Sequence, residues 1–96
     1  MFVGVARFEL RLPDCASLKD KRSVLRRLIS LIRQKFNVSA GEVDHLDLWQ
    51  RSTVAVSLIS DTQFHARRVL QEIERHVETH PGVELLDTAT DFISPE

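Results

Sequence analysis

Residues 2–36, FVGVARFELRLPDCASLKDKRSVLRRLISLIRQKF, carry two hydrophobic periods in succession. Over residues 2–12, Phe2, Gly4, Ala6, Phe8, Leu10 and Leu12 alternate with Val3, Val5, Arg7, Glu9 and Arg11, which is the two-residue period of a half-buried strand. Pro13 and Asp14 end it. Ser17, with Asp20 three residues later, reads as a helix start close to a capping box, the shorter Asp standing in for Glu. From 17 to 36, Leu18, Val24, Leu25, Leu28, Ile29, Leu31, Ile32 and Phe36 fill one broad arc at 100° per residue, the pattern of a helix lying on a sheet.

The rest of the chain extends this strand-helix pair. Residues 38–50 place Val38, Ala40, Val43, Leu46, Leu48 and Trp49 among small and acidic residues, and read as a strand with a bulge or irregular start. Gln50-Arg51-Ser52 is a short connection into TVAVSLIS (53–60), whose β-branched content predicts a hairpin partner for that strand. Ser60 to Gln63 repeats the capping pattern, and Phe64, Val69, Leu70, Ile73 and Val77 predict a helix over 62–80 that stops at His80-Pro81-Gly82. Val83 to Phe92 supplies a last strand. The order β-α-β-β-α-β is the split βαβ, or ferredoxin-like, arrangement of the α+β class, expected as one domain over residues 1–96. Right-handed crossovers put strands 1 and 3 at the centre of a four-stranded antiparallel sheet with both helices on one face. Phe8, Leu10, Leu25, Leu28, Ile32, Val54, Val56, Leu70 and Ile73 are the expected core. The other face, with Val3, Val5, Arg7 and Arg11 from strand 1, is left open as an expected interface, here for a homodimer or larger assembly.

An apolar share of 43% with 28% charged residues, 3 Gly and 3 Pro excludes disordered and fibrous classes. No apolar run approaches the roughly 18 residues of a membrane span and no signal-peptide pattern is present, so a cytoplasmic protein with no membrane partner is expected. One cysteine excludes an internal disulfide and any four-thiolate metal or iron–sulfur site from a single chain. The formal net charge of -1 hides a division: residues 1–35 hold nine cations against three acids, and the remainder four against eleven. A charge dipole follows unless the fold interleaves the two sets.

Chemistry-bearing patterns are sparse. His76 and His80 stand four apart on a helix, one turn after Glu72, yet lack the further ligands a metal needs and read as solvated surface. No metal or cofactor is expected. His45 and His65 have no motif around them. Cys15, close to Lys19 and Lys21, could have a lowered thiol pKa, against which stands the absence of a nearby His in sequence. Gly4, Gly41 and Gly82 are isolated, so no phosphate loop exists, and no GxSxG arrangement activates a nucleophile. The loop after strand 1, PDCAS, lacks the Arg with which acylphosphatases of this fold act. No catalytic residue is assigned. Base stacking in the manner of an RNA recognition motif fails too, because TVAVSLIS has no aromatic residue and Phe2 and Phe8 share the helix-covered face.

The first helix is the exception. Lys19, Arg22, Arg26 and Arg33 fall within about 60° of helical arc with Arg27 to one side, a stripe of nearly one sign. Lys21 instead projects within the apolar arc, where its stem could run along the sheet edge while its ammonium reaches a ligand or a carboxylate such as Asp20. Together these six residues form the candidate nucleic-acid-binding set. RFELRLP, SLKDKR at Ser17–Arg22 and VSAGEVD at Val38–Asp44, followed by LDLWQRSTVAVS, resemble the YlxP-like family of small bacterial proteins, a family of unknown function, over nearly the whole chain. That resemblance implies a ferredoxin-like domain encoded near translation and ribosome-maturation genes, hence structured RNA or a ribosomal particle as partner; it carries over no catalytic residue. Two expectations stand: a non-catalytic binder of structured RNA using the basic helix, or a self-associating regulatory domain using the open face, with a small-ligand site between subunits.

Overall fold

The structure, a computed structural model, describes residues 1–95. Strands β1 (Phe2–Arg11), β2 (Ser39–Asp44), β3 (Arg51–Ser60) and β4 (Glu84–Ile93) and helices α1 (Leu18–Lys35) and α2 (Gln63–Glu78) follow the order β1-α1-β2-β3-α2-β4. The sheet order is β2-β3-β1-β4, with every neighbouring pair antiparallel, so β1 and β3 are central as the crossover rule requires. The alternation in β1 sends Gly4, Ala6, Phe8 and Leu10 under the helices. Leu25, Leu28 and Ile32 of α1 and Ala66, Leu70, Ile73 and Val77 of α2 join Phe8, Leu10, Val54 and Val56 in one buried cluster, which places both helices on one face. No helix among the described residues is long and apolar enough to cross a membrane.

Both helix starts are capped. Ser17 Oγ accepts from the Asp20 amide at 3.1 Å, while Asp20 Oδ2 reaches back to the Ala16 amide at 3.0 Å, one residue beyond the amide a capping box normally engages. At α2 the cap is Thr62, accepting from His65 N at 3.1 Å, rather than Ser60; Ser60 Oγ serves the Thr62 amide one step earlier. Gly82, at φ +80°, turns the chain from α2 into β4 in a conformation open to glycine.

The largest departure from the sequence reading lies at 38–50. The β2–β3 ladder shifts register between Glu42 and Asp44, and the strand ends there. Residues 45–48 turn instead, with His45 at φ 60° and its carbonyl accepting from the Leu48 amide at 3.1 Å. Leu46, Leu48 and Trp49 are consequently exposed on a loop. β3 starts earlier than TVAVSLIS, at Arg51, because Arg51 and Ser52 pair with Arg11 and Leu10.

Candidate nucleic-acid interface

The outward face of α1 is set by what its inward face does. Burial of Leu25, Leu28 and Ile32 fixes the helix rotation, and Lys19, Arg22, Arg26, Arg27 and Arg33 then emerge into solvent. Among the described residues the ion pairs are Arg11–Glu84, Lys21–Glu42 and Arg68–Glu72, so no carboxylate lies within 4 Å of any of these five cations. Arg33 has another engagement: its guanidinium donates to the Ala40 carbonyl on the edge strand β2, which partly blunts that edge. The remaining four are free of side-chain acceptors among the described residues. α1 packs over β2, whereas the acids Glu84, Asp87 and Asp91 line β4 at the far edge of the sheet. The fold therefore keeps the β4 acids away from α1, while elsewhere the two charge sets meet, at Lys21–Glu42 and Arg11–Glu84.

Lys21 departs from the set. Its side chain is 2% exposed, and its ammonium lies 2.7 Å from the Glu42 carboxylate and 2.6 Å from the His45 carbonyl. It lies within the apolar arc as its spacing predicts and its ammonium reaches a carboxylate, which is Glu42 rather than Asp20; its burial corrects its place in the candidate nucleic-acid-binding set. Glu42 also accepts from Ser52 Oγ at 2.8 Å. Helix α1, strand β2, the 45–48 turn and strand β3 are thus tied by one buried polar group of four. Gln50 Nε2 adds a second clamp, donating to the carbonyls of Pro13 and Cys15 at 3.3 and 3.2 Å. The one signal of this network in the sequence is a lysine inside an apolar arc; its acceptors, the Glu42 carboxylate and the His45 carbonyl, lie 21 and 24 residues further along the chain.

The expected sheet-face residues also find their places. Val3 and Val5 are half-buried, Arg7 and Arg11 are exposed, and Arg11 lies 3.9 Å from Glu84. Thr53 Oγ1 donates to the Glu9 carboxylate at 2.7 Å across the same face. Cys15 is buried, and burial together with Asp20 and Asp14 raises its thiol pKa despite Lys21, the reverse of the lowered value considered above. His76 packs edge-on against Phe36 with ring centroids 5.6 Å apart, and His80 Nδ1 lies 3.0 Å from the Pro81 carbonyl. No group of three metal-ligating side chains converges among the described residues.

Two solved structures share this fold at low identity: the de novo designed protein Foldit4 (TM-score 0.57, 11% identity, all of both chains covered) and the de novo designed protein LFR1 1 with ferredoxin fold (TM-score 0.53, 13% identity, 99% of this chain and 87% of that one). They bear on the fold alone. The uncharacterized protein YlxP of Bacillus subtilis (strain 168) is 32% identical over 90 residues, covering 94% of this chain and 98% of the relative. Residues 3–90 match the family model described as protein of unknown function (DUF503), and the chain belongs to that family.

Proposed function

We propose that the protein is a non-catalytic binder of structured RNA, free or within a ribosomal particle, and that the outward face of α1 makes the contact. The observation that carries this reading is a row of exposed cations without carboxylate partners on a helix whose neighbouring acid, Asp20, is occupied in capping. Ordinary exposed helix faces interleave acids four residues from their bases. Lys19 and Arg33 stand about 21 Å apart at roughly 1.5 Å per residue, a span that meets several successive phosphates. Phe8 is buried beneath the helices and β3 has no aromatic residue, so the sheet offers no platform for base stacking. Recognition by phosphates and shape follows.

The test is binding of a folded RNA hairpin measured by fluorescence anisotropy across salt concentrations. Neutralising about four phosphates gives a slope of log affinity against log salt on the order of -3 to -4. The variant Lys19→Glu/Arg22→Glu/Arg26→Glu spares Arg33, whose guanidinium donates to the Ala40 carbonyl of β2, and changes only exposed positions, the first of them in the opening turn of α1 where the macrodipole favours an acid. It is expected to abolish binding while keeping a native circular dichroism spectrum. Undiminished affinity in the folded variant would overturn the assignment of this face.

A further inference from the structure

We propose that the outer edge of β4 takes an extended cationic segment of another protein as a fifth, antiparallel strand. Its lysines or arginines lie on the open face of the sheet, and its small polar side chains enter the groove between β4 and α2. The surface is distinct from the cationic face of α1, since α1 packs over β2 at the opposite edge.

The ladder shows which backbone groups of β4 are free. Leu12 N–H donates to the Gln50 carbonyl at 3.0 Å, in unbroken register with Leu10↔Ser52 and Phe8↔Val54, so the even-numbered residues of β1 bond to β3 and the odd-numbered ones to β4. Asp87, Ala89 and Asp91, opposite Glu9, Arg7 and Val5, therefore turn their amides and carbonyls to β1, and Thr88, Thr90 and Phe92 turn theirs outward. The Phe92 amide is met by Asp91 Oδ1 at 2.8 Å; beyond Thr88 and Thr90 there is no further strand. The two edges differ in this respect. β2 is six residues long and carries the Arg33 guanidinium on its Ala40 carbonyl, whereas β4 runs for ten residues without Pro, Lys or Gly, the residues that ordinarily close an edge to pairing.

Side chains specify the occupant. The pleat puts Asp87, Ala89 and Asp91 on the open face, and Asp87 stands directly opposite Glu9, an unfavourable like-charge pair. Glu9 turns the other way, to Thr53 Oγ1 at 2.7 Å. Arg7 stands diagonally between Asp87 and Asp91, and among the described residues neither carboxylate has an ion-pair partner within 4 Å. A cation on a fifth strand would stand about 4.5–5.5 Å from Asp87, Cβ to Cβ, and offset the repulsion. A second copy cannot supply it edge to edge, because neither SAGEVD of β2 nor ELLDTATDFI of β4 contains one. On the helix side, Thr88, Thr90 and Phe92 border a groove of about 210 Å³ whose other wall includes Arg67, Gln71 and Glu74 of α2. Its opposite charges favour neither sign and suit an uncharged polar side chain. Main-chain bonds to Thr88 and Thr90 would supply affinity, and the alternating side chains specificity.

The probe is an N-terminally labelled, amidated nonapeptide of alternating lysine and threonine with lysine at both ends, titrated with the full chain by fluorescence anisotropy. Saturable binding with a Kd below about 1 mM is expected, with slower amide exchange at Thr88 and Thr90 in the complex. N-methylation of every threonine, whose amides face β4 in the antiparallel arrangement, is expected to abolish binding, while N-methylation of every lysine, whose amides face solvent, is tolerated. Asp87→Asn/Asp91→Asn changes two exposed positions, keeps an acceptor for the Phe92 amide, and is expected to weaken the peptide about fivefold. Equal losses from the two methylated peptides, or unchanged exchange at Thr88 and Thr90 in the complex, overturn strand addition, and loss from methylated lysines alone overturns its antiparallel direction. An affinity unmoved by the double variant overturns the cationic preference. Absence of binding at about 1 mM overturns the whole proposal.

Discussion

Replacing Lys21 by Met keeps the length of the stem and deletes only the ammonium, which isolates the buried polar group that joins α1 to the β2–β3 turn. The ammonium sits 2.7 Å from Glu42 and 2.6 Å from the His45 carbonyl, with 2% of its side chain exposed. Removing one member of a buried pair costs about 3–5 kcal/mol, because the other charge is left without its counterpart. Glu42 retains the Ser52 hydroxyl and 21% of its side chain in solvent, which lowers the expected cost to about 2–4 kcal/mol. For a domain of this size that corresponds to a fall in Tm of about 10–20 °C. Urea denaturation measures it, with an unchanged m-value showing that the unfolding reaction is the same. Lys21→Met/Glu42→Gln removes the stranded charge while keeping an acceptor for Ser52, and is expected to recover at least about 1 kcal/mol relative to Lys21→Met alone. A single variant within about 0.5 kcal/mol of wild type, or a double variant whose losses merely add, would refute the claim that this pair holds the turn.

Cys15, buried and with its thiol pKa raised, is expected to react with iodoacetamide in urea and to resist it in buffer near neutral pH. Because the folded thiol loses its proton at higher pH than the unfolded one, its contribution to stability is flat at neutral pH and falls in the alkaline range, which denaturation above and below the thiol range checks. A Cβ on Gly4 would lie 3.3 Å from Ala66 Cβ, Leu58 Cδ2 and Leu70 Cδ1, so Gly4→Val is expected to destabilise by about 1–3 kcal/mol through overpacking under α2, measured by thermal unfolding. In competition assays a folded or duplex RNA is expected to displace labelled RNA better than an unstructured pyrimidine strand of equal length, since the sheet offers no stacking surface; the opposite order contradicts a phosphate-and-shape reading.

Element order and the rotation of both helices are legible in residue spacing, and the central position of β1 follows from that order through the right-handed crossover rule. Phe8, Leu10, Leu28, Ile32, Ile73 and the other expected core residues are buried because the periods of two and 3.6 are local properties of the chain. The outward stripe on α1 is local for the same reason: once Leu25, Leu28 and Ile32 are inside, Arg22 and Arg26 have one direction left. Residues 38–50 were legible only in part. Val43, Leu46, Leu48 and Trp49 resemble strand residues by composition, and nothing local announces that the ladder stops at Asp44. That stop belongs to the β2–β3 register shift and to the carbonyl of His45, which bonds to Lys21, 24 residues earlier.

The sequence by itself determined that Lys21 lies among apolar residues and that cations crowd the first third of the chain. Only the tertiary structure decided which carboxylate Lys21 meets, because Glu42, held by the Ser52 hydroxyl, reaches it through strand pairing and not through spacing along the chain. It likewise decided the register that sets Glu84 of β4 beside Arg11, since which residues of paired strands stand opposite one another is set by long-range hydrogen bonding that no local period encodes.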